Sequence, residues 1–204
     1  IATGLFDGEG KAVAQSEFLP ILVASLEPAL DAVLRRHPAA TWSPGDCAIT
    51  NDPFQGGQHL NDIAVFTPIF HDGALLGFAG SMAHHLDLGG ITPGIMSGAT
   101  EVHHEGVILP CVKFPLDHGA MAGPLLEVLS ANSRAPEELV GDLAAQLAAN
   151  HTASQRFGEL TDRYGPEAMR QAMRRMQDHA ARLTDAALEN FPPGAYRASA
   201  RIDD

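Results

Sequence analysis

Residues 63–81 read IAVFTPIF, HDG, ALLGFAGS, two apolar runs separated by a turn-forming tripeptide. Each run is short enough for a strand, and His71-Asp72-Gly73 supplies the turn, so the stretch predicts a β-hairpin with strands over 63–70 and 74–81. Working outward, further apolar runs punctuated by Gly, Pro and Asn predict strands over 47–50 and 107–114. Between the strands lie irregular segments over 51–61, 84–98 and 99–106. They contain most of the polar side chains able to do chemistry, and loops held by a rigid scaffold are where sites concentrate.

The N-terminal stretch pairs residues 2–6 with 11–15 around Asp7-Gly8-Glu9-Gly10, a second hairpin in which Asp-Gly supplies the positive φ. A helix over 25–36 follows, with Ser25 as N-cap, Pro28 tolerated in the first turn and His37-Pro38 as the stop. From about Ser133 the pattern turns helical. Leu139, Leu143 and Leu147 recur at i, i+4, and Pro136 falls in the first turn. A second helix begins at Pro166, carries Met169, Met173, Met176, Ala180 and Leu183 as a packing stripe, and stops at Pro192-Pro193. The fold class predicted is α+β: a β-rich part over 1–132 with a loop-borne site, and a helical part over 133–204 packed on it.

Composition narrows the function. The net charge of −12 over 204 residues opposes binding to nucleic acid, which depends on Lys and Arg at phosphates. Residues 1–110 hold twelve acidic and three basic side chains, with seven of the ten histidines, a balance suited to a metal ion or to a solvated acidic face. No run approaches the roughly 20 apolar residues of a membrane span, and the start lacks a secretory pattern, which together predict a cytoplasmic protein without membrane contact. Opening at Ile1 and closing on Arg201-Ile202-Asp203-Asp204, the chain reads as a piece of a longer polypeptide. Cys47 and Cys111 are too few for a disulfide scaffold and read as buried thiols. Neither the glycine fingerprints of nucleotide binding nor the Gly-x-Ser-x-Gly and His-Glu-x-x-His motifs occur, so ATP binding by this chain and a serine-hydrolase mechanism are unsupported.

Three segments carry candidate chemistry. Asn51 to Asp62 (NDPFQGGQHLND) places Asp52, His59 and Asp62 in a Gly-bearing loop; an ordinary turn with a capping aspartate would read the same. Ala83 to Gly90 (AHHLDLGG) follows a strand. Adjacent histidines in extended chain point to opposite sides, so only one of His84 and His85 is expected in a given coordination shell. Alternatively one lies in the core and the other on the surface. Thr100 to Gly106 (TEVHHEG) adds His103, His104, Glu101 and Glu105, as a base, an anchor or plain exposed loop. Two histidines with two or three carboxylates from separate loops form a mixed N/O set suited to Mn, Fe, Zn or Ni, with a position left open for water.

Gly45 to Asp62 (GDCAITNDPFQGGQHLND) and Ala83 to Gly106 (AHHLDLGGITPGIMSGATEVHHEG), with the flanks LFDGEGKAVAQ and PEELVGDLAAQLAAN, closely resemble the hydantoinase B/oxoprolinase family. The resemblance implies the hydrolytic or carboxylating half of a two-component enzyme. A hydantoinase A-type subunit binds ATP and activates a cyclic amide, hydantoin or 5-oxoproline, and the B-type chain delivers water from a divalent metal. Carried over, it implies His59, Asp62 and His84 as ligands and Asp52 as a further ligand or the base. In this scheme His85 or Asp87 orients substrate or transfers a proton. The chain departs from many relatives at Gln58, Asn61 and His103-His104, none of them an implied ligand. Two other readings stand beside this one: a subunit like the acetone carboxylase α subunit, which uses bicarbonate, and a folded interaction module without activity.

Overall fold

The hairpin read over 63–81 forms the middle of a six-stranded antiparallel sheet. The computed structural model describes residues 1–94 and 98–200; residues 95–97 of the expected loop over 84–98, and the terminal Arg201-Ile202-Asp203-Asp204, lie outside the described residues. The strands are β1 (Ala2–Asp7), β2 (Ala12–Gln15), β3 (Asp46–Thr50), β4 (Asp62–His71), β5 (Ala74–His84) and β6 (Val112–Pro115), in the order β2-β1-β5-β4-β3-β6. Four helices flank them: α1 (Pro20–Arg36), α2 (Pro124–Asn132), α3 (Pro136–Tyr164) and α4 (Pro166–Leu188). The fold is α+β, with three of the four helices after the last strand.

Both faces of the sheet are covered, which is why β4 and β5 read as continuous apolar runs. Successive side chains alternate between faces. Ala64 and Phe66 of β4, Phe78 and Met82 of β5 and Ala48 of β3 pack on Leu22, Leu26, Ala29, Leu30 and Val33 of α1. On the opposite face Ile63 and Val65, with Cys47 and Ile49, pack on Leu129 of α2 and on Leu139, Leu143 and Leu147 of α3. Phe66 and Phe78 are fully buried, each contributing on the order of 2–3 kcal/mol from apolar area alone. A third cluster, Ile69, Leu76, Ala79, Phe157 and Met173, joins α3 and α4 to the turn end of the hairpin. Pro68 lies inside β4 but beyond its last pairing with β3, Ala48 with Phe66, where β4 has become an edge.

Several expectations are corrected. Helix α1 starts five residues before Ser25, with Pro20 in the N1/N2 position its fixed φ suits. Ser25 is therefore not the N-cap: it lies inside the helix, and its hydroxyl donates to the Ile21 carbonyl at 2.6 Å. Pro28 is likewise interior rather than in the first turn. In the first hairpin the positive φ belongs to Gly10 (83°), while Asp7 organises the turn by accepting the Glu9 and Lys11 amides on Oδ1. β6 is shorter than the expected 107–114, because Pro110 lacks an amide and Cys111 takes a left-handed φ of 49°, both incompatible with a continuous ladder. Met169 and Met173 pack as a stripe should, but Met176 and Leu183 of α4 are half and more than half exposed, at 50% and 59%. Helix α2, unread in the sequence, begins at Gly123-Pro124. Cys47 and Cys111 are buried free thiols, and burial pushes the Cys47 thiol far up, so it stays protonated and inert.

Candidate metal centre at the open end of the central hairpin

Asp62 is the first residue of β4 and His84 the last of β5, and the two are register partners. Strand alternation puts both on the α1 side, in line with Ala64 and Met82. Cross-strand partners bring their side chains together, and His84 Nδ1–H donates to Asp62 Oδ1 at 2.8 Å. His59 arrives from the preceding turn, in which the Asp62 amide donates to the His59 carbonyl at 2.9 Å. Asp62 Oδ2 returns the contact, accepting both the His59 amide at 3.0 Å and its ring Nδ1–H at 2.8 Å. Because an ionised carboxylate only accepts, both rings carry their proton on Nδ1 in this arrangement. The rings stand at 88° with centroids 5.7 Å apart.

One ligand atom from each of His59, Asp62 and His84 lies within 4.8 Å of the others. Among the described residues this is the one group of three or more His, Cys, Asp or Glu side chains that converges in this way. The Asp62 side chain is 1% exposed, against 43% for His59 and 38% for His84, so the carboxylate forms the floor and the imidazoles the rim. Among the described residues no Lys or Arg pairs with Asp62. A buried carboxylate offset, among the described residues, by imidazole and backbone N–H groups alone suits a cation, and two nitrogens with one oxygen suit a borderline divalent ion.

The loop that delivers His59 is fixed on two sides. Asn51, fully buried, donates from Nδ2 to the carbonyls of Leu60 and Val107, and accepts the Leu109 amide on Oδ1 at 2.7 Å. On the other side the loop meets α1. Gly56 has a φ of 96°, and a Cβ there would sit 2.4 Å from the Ala29 nitrogen and 2.6 Å from the Pro28 carbonyl carbon. Gln58 Nε2 donates to Ser25 Oγ at 2.7 Å.

Asp52, His85 and Asp87 lie outside the cluster. Asp52 caps a 3-10 turn over Pro53–Gln55, accepting the Phe54 amide and the Gln55 Nε2 at 2.9 Å each. His85 points to the opposite face, as the alternation of adjacent residues requires, and is fully buried against α3. There Gln146 donates from Nε2 to the carbonyls of Ile63 and Ser81, which leaves its Oε1 to accept from His85 Nε2 at 3.0 Å. His85 Nδ1 then has no partner. Burial lowers the His85 pKa below its ordinary value, against smaller opposing contributions from Gln146 and nearby carboxylates, so the ring stays neutral. Asp87, 2% exposed, accepts the Arg134 amide and its Nη1 and the Gly89 amide, which fills both oxygens. Of the third segment, His104 pairs with Glu101 at 3.0 Å, and neither joins the cluster.

Sequence reading missed the α3 side of this arrangement. Gln146 and Asn150 are polar positions inside the apolar stripe of Leu139, Leu143 and Leu147, and both are buried with their amides on sheet carbonyls. That interruption of the stripe was the available signal; nothing marked Arg134 as the partner of Asp87.

The model of the hydantoinase B/oxoprolinase family matches residues 1–204. A 5-oxoprolinase from Dictyostelium discoideum is 33% identical over 177 residues, covering 86% of this chain and 14% of that protein. The caprolactamase subunit beta of Pseudomonas jessenii is 31% identical over 204 residues, covering 100% of this chain and 35% of its own. The crystal structure of the ATP-dependent caprolactamase from Pseudomonas jessenii superposes with a TM-score of 0.87 at 31% identity, over 95% of this chain and 33% of that one. The nucleotide-free structure of acetone carboxylase gives a TM-score of 0.75 at 22% identity, over 84% and 23%, a likeness of fold. The chain thus spans between about a seventh and about a third of the lengths of the two relatives. With its whole length matched by the family model, the chain belongs to the hydantoinase B/oxoprolinase family.

Proposed function

We propose that this chain carries the metal centre of a hydrolytic subunit that opens a cyclic amide ring, in a reaction driven by ATP bound to a hydantoinase A-type partner. The observation that carries the reading is the convergence of His59, Asp62 and His84 at one end of the hairpin. The names of the relatives, 5-oxoprolinase and caprolactamase, agree on a cyclic amide and differ in the ring.

Amide resonance makes a lactam carbonyl a weak electrophile, so ring opening near neutral pH gains from activation of its oxygen by phosphate from ATP. In this reading that is the partner's task. The chain's own task is to bring water to the activated carbon; the oxygen adds there, the ring C–N bond breaks, the nitrogen leaves with a proton, and the acyl phosphate so formed is hydrolysed by a second water to carboxylate and inorganic phosphate. Without an ion, Asp62 orients both imidazoles through their Nδ1–H groups; ligation through those nitrogens would release the two protons. A divalent ion of the Mn, Fe, Zn or Ni class would be held by His59, Asp62 and His84, and would supply the Lewis acidity that makes water available as a nucleophile near neutral pH. Asp52, His85 and Asp87 hold the surrounding loops through the contacts described above. With His59 and His84 over a third exposed, the walls of a substrate pocket are assigned to the further length that the relatives possess.

The test is the full-length subunit assembled with its ATP-binding partner and offered hydantoin, 5-oxoproline and caprolactam, with and without bicarbonate. Ring opening that requires ATP, ignores bicarbonate and disappears in His84→Ala is the expected result. Bicarbonate-dependent consumption of a ketone would replace this reading with the carboxylase one. Full activity in His84→Ala would remove the site assignment altogether.

A further inference from the structure

The site loop touches helix α1 at two points, and only one of them is steric. Gly56 lies so close to the Pro28–Ala29 backbone that the contact fixes how near the loop can come. The polar contact is directional. Ser25 is 3% exposed, and its hydroxyl proton is committed to the Ile21 carbonyl at 2.6 Å. Its oxygen therefore faces Gln58 as an acceptor, and the Gln58 amide must present Nε2–H at 2.7 Å. Gln58 is the residue before His59, whose ring is one of the two on the Asp62 carboxylate. The opposite side of the same loop is tied by Asn51 to the Leu60 carbonyl, the residue after His59. His59 is thus held between an anchor on β3's exit and an anchor on α1, and the α1 anchor is the only one of the two that involves an exposed residue and a hydroxyl inside a helix.

We propose that Ser25 and Gln58 act as a positioning pair for His59: the hydroxyl in α1 fixes the Gln58 amide, and Gln58 fixes the approach of the His59 ring to Asp62. Being a ligand-orienting role, it rests on the metal reading above for its effect on affinity, but the geometry it controls exists in this chain regardless of the ion. The Ser25 hydroxyl is not needed to form the helix, since mid-helix Ser is intrinsically neutral to unfavourable and its bond to Ile21 competes with the backbone. Removing it separates positioning from folding.

The experiment compares Ser25→Ala, Gln58→Ala and the double variant in the full-length subunit. Zn(II) and Mn(II) affinity is measured by chelator competition, and the exposure of the His59 ring by histidine C2–H exchange in chelator-treated protein. Each single variant is expected to weaken metal binding by about tenfold, the lower end for residues that orient a ligand. The double variant is expected to be no weaker than either single, because one interaction is lost in all three. His59 exchange accelerates while His85 exchange, on the opposite face, is unchanged. Ser25→Thr, which keeps the hydroxyl, restores both readouts. Unchanged affinity and unchanged His59 exchange in the single variants, or losses that add in the double variant, would overturn the pairing. If wild type binds neither metal, the metal reading falls by itself, and His59 exchange still decides whether the pair positions the ring.

Discussion

At the scale of residues, two adjacent histidines with the same chemistry have opposite roles because a strand alternates. His84 lies beside Asp62 at the rim, over a third exposed; His85 is fully buried on Gln146. The His85 environment has a pH consequence. Burial lowers the folded pKa below the ordinary 6.5, so between those two values the unfolded chain binds a proton that the folded chain refuses. Stability then falls as pH drops through 6.5 and levels off below the folded pKa. Urea unfolding of chelator-treated protein is expected to show this loss, and His85→Gln, which keeps a donor toward Gln146, is expected to flatten it. Equal slopes in both proteins would contradict the assignment. The sequence displayed the separation of the two histidines in advance, because period-2 alternation is local. It did not display the fates of Asp52 and Asp87, because a capping carboxylate and a reactive one have the same one-letter code, and the decisive partner of Asp87, Arg134, is 47 residues away.

At the scale of elements, the site is an output of two helices pressing on the ends of the same hairpin from opposite faces. Helix α3 does so through Gln146, which satisfies two strand carbonyls and His85 at once. Gln146→Leu keeps the volume, strips two strand carbonyls of a side-chain donor and leaves the buried His85 Nε2–H without an acceptor. At about 1–3 kcal/mol for such an orphan, a loss of about 1–3 kcal/mol in unfolding free energy is expected, measured by denaturant titration; an unchanged unfolding free energy would mean that water replaces the amide. Helix α1 acts through backbone contact. Gly56→Ala adds a methyl 2.4 Å from the Ala29 nitrogen at a φ of 96°, so the loop must withdraw from the helix. It is expected to cost about 2–4 kcal/mol and to lower metal affinity along with it. An unchanged melting temperature and affinity would show that the loop is not seated as described. The long helices and the central hairpin were legible because their periods are strong. The true start of α1 was not, because Ser25 is a favourable N-cap type and Pro28 invites a start nearby, whereas the apolar positions Leu22 and Val23 ahead of it decide the matter through burial on the sheet.

At the scale of the molecule, a sheet covered on both faces leaves its chemistry to the strand ends, and the end opposite the hairpin turn is where β4 begins, β5 stops and two loops converge. The α+β class followed from the order of periodic segments, and the family from the two motif blocks. The half-bare stripe of α4 was not foreseeable, since amphipathic spacing states that a face is apolar and not what covers it. On the proposed division of labour, His84→Ala in the full-length subunit is expected to abolish ring opening while ATP affinity at the partner, read by nucleotide titration, stays unchanged. The centre formed by His59, Asp62 and His84 is tested by elemental analysis of the full-length subunit after exhaustive dialysis, wild type beside the His59→Ala/His84→Ala double variant. About one Mn, Fe, Zn or Ni is expected per wild-type chain and none in a folded double variant. Equal metal in both proteins, or none in wild type, would contradict that assignment.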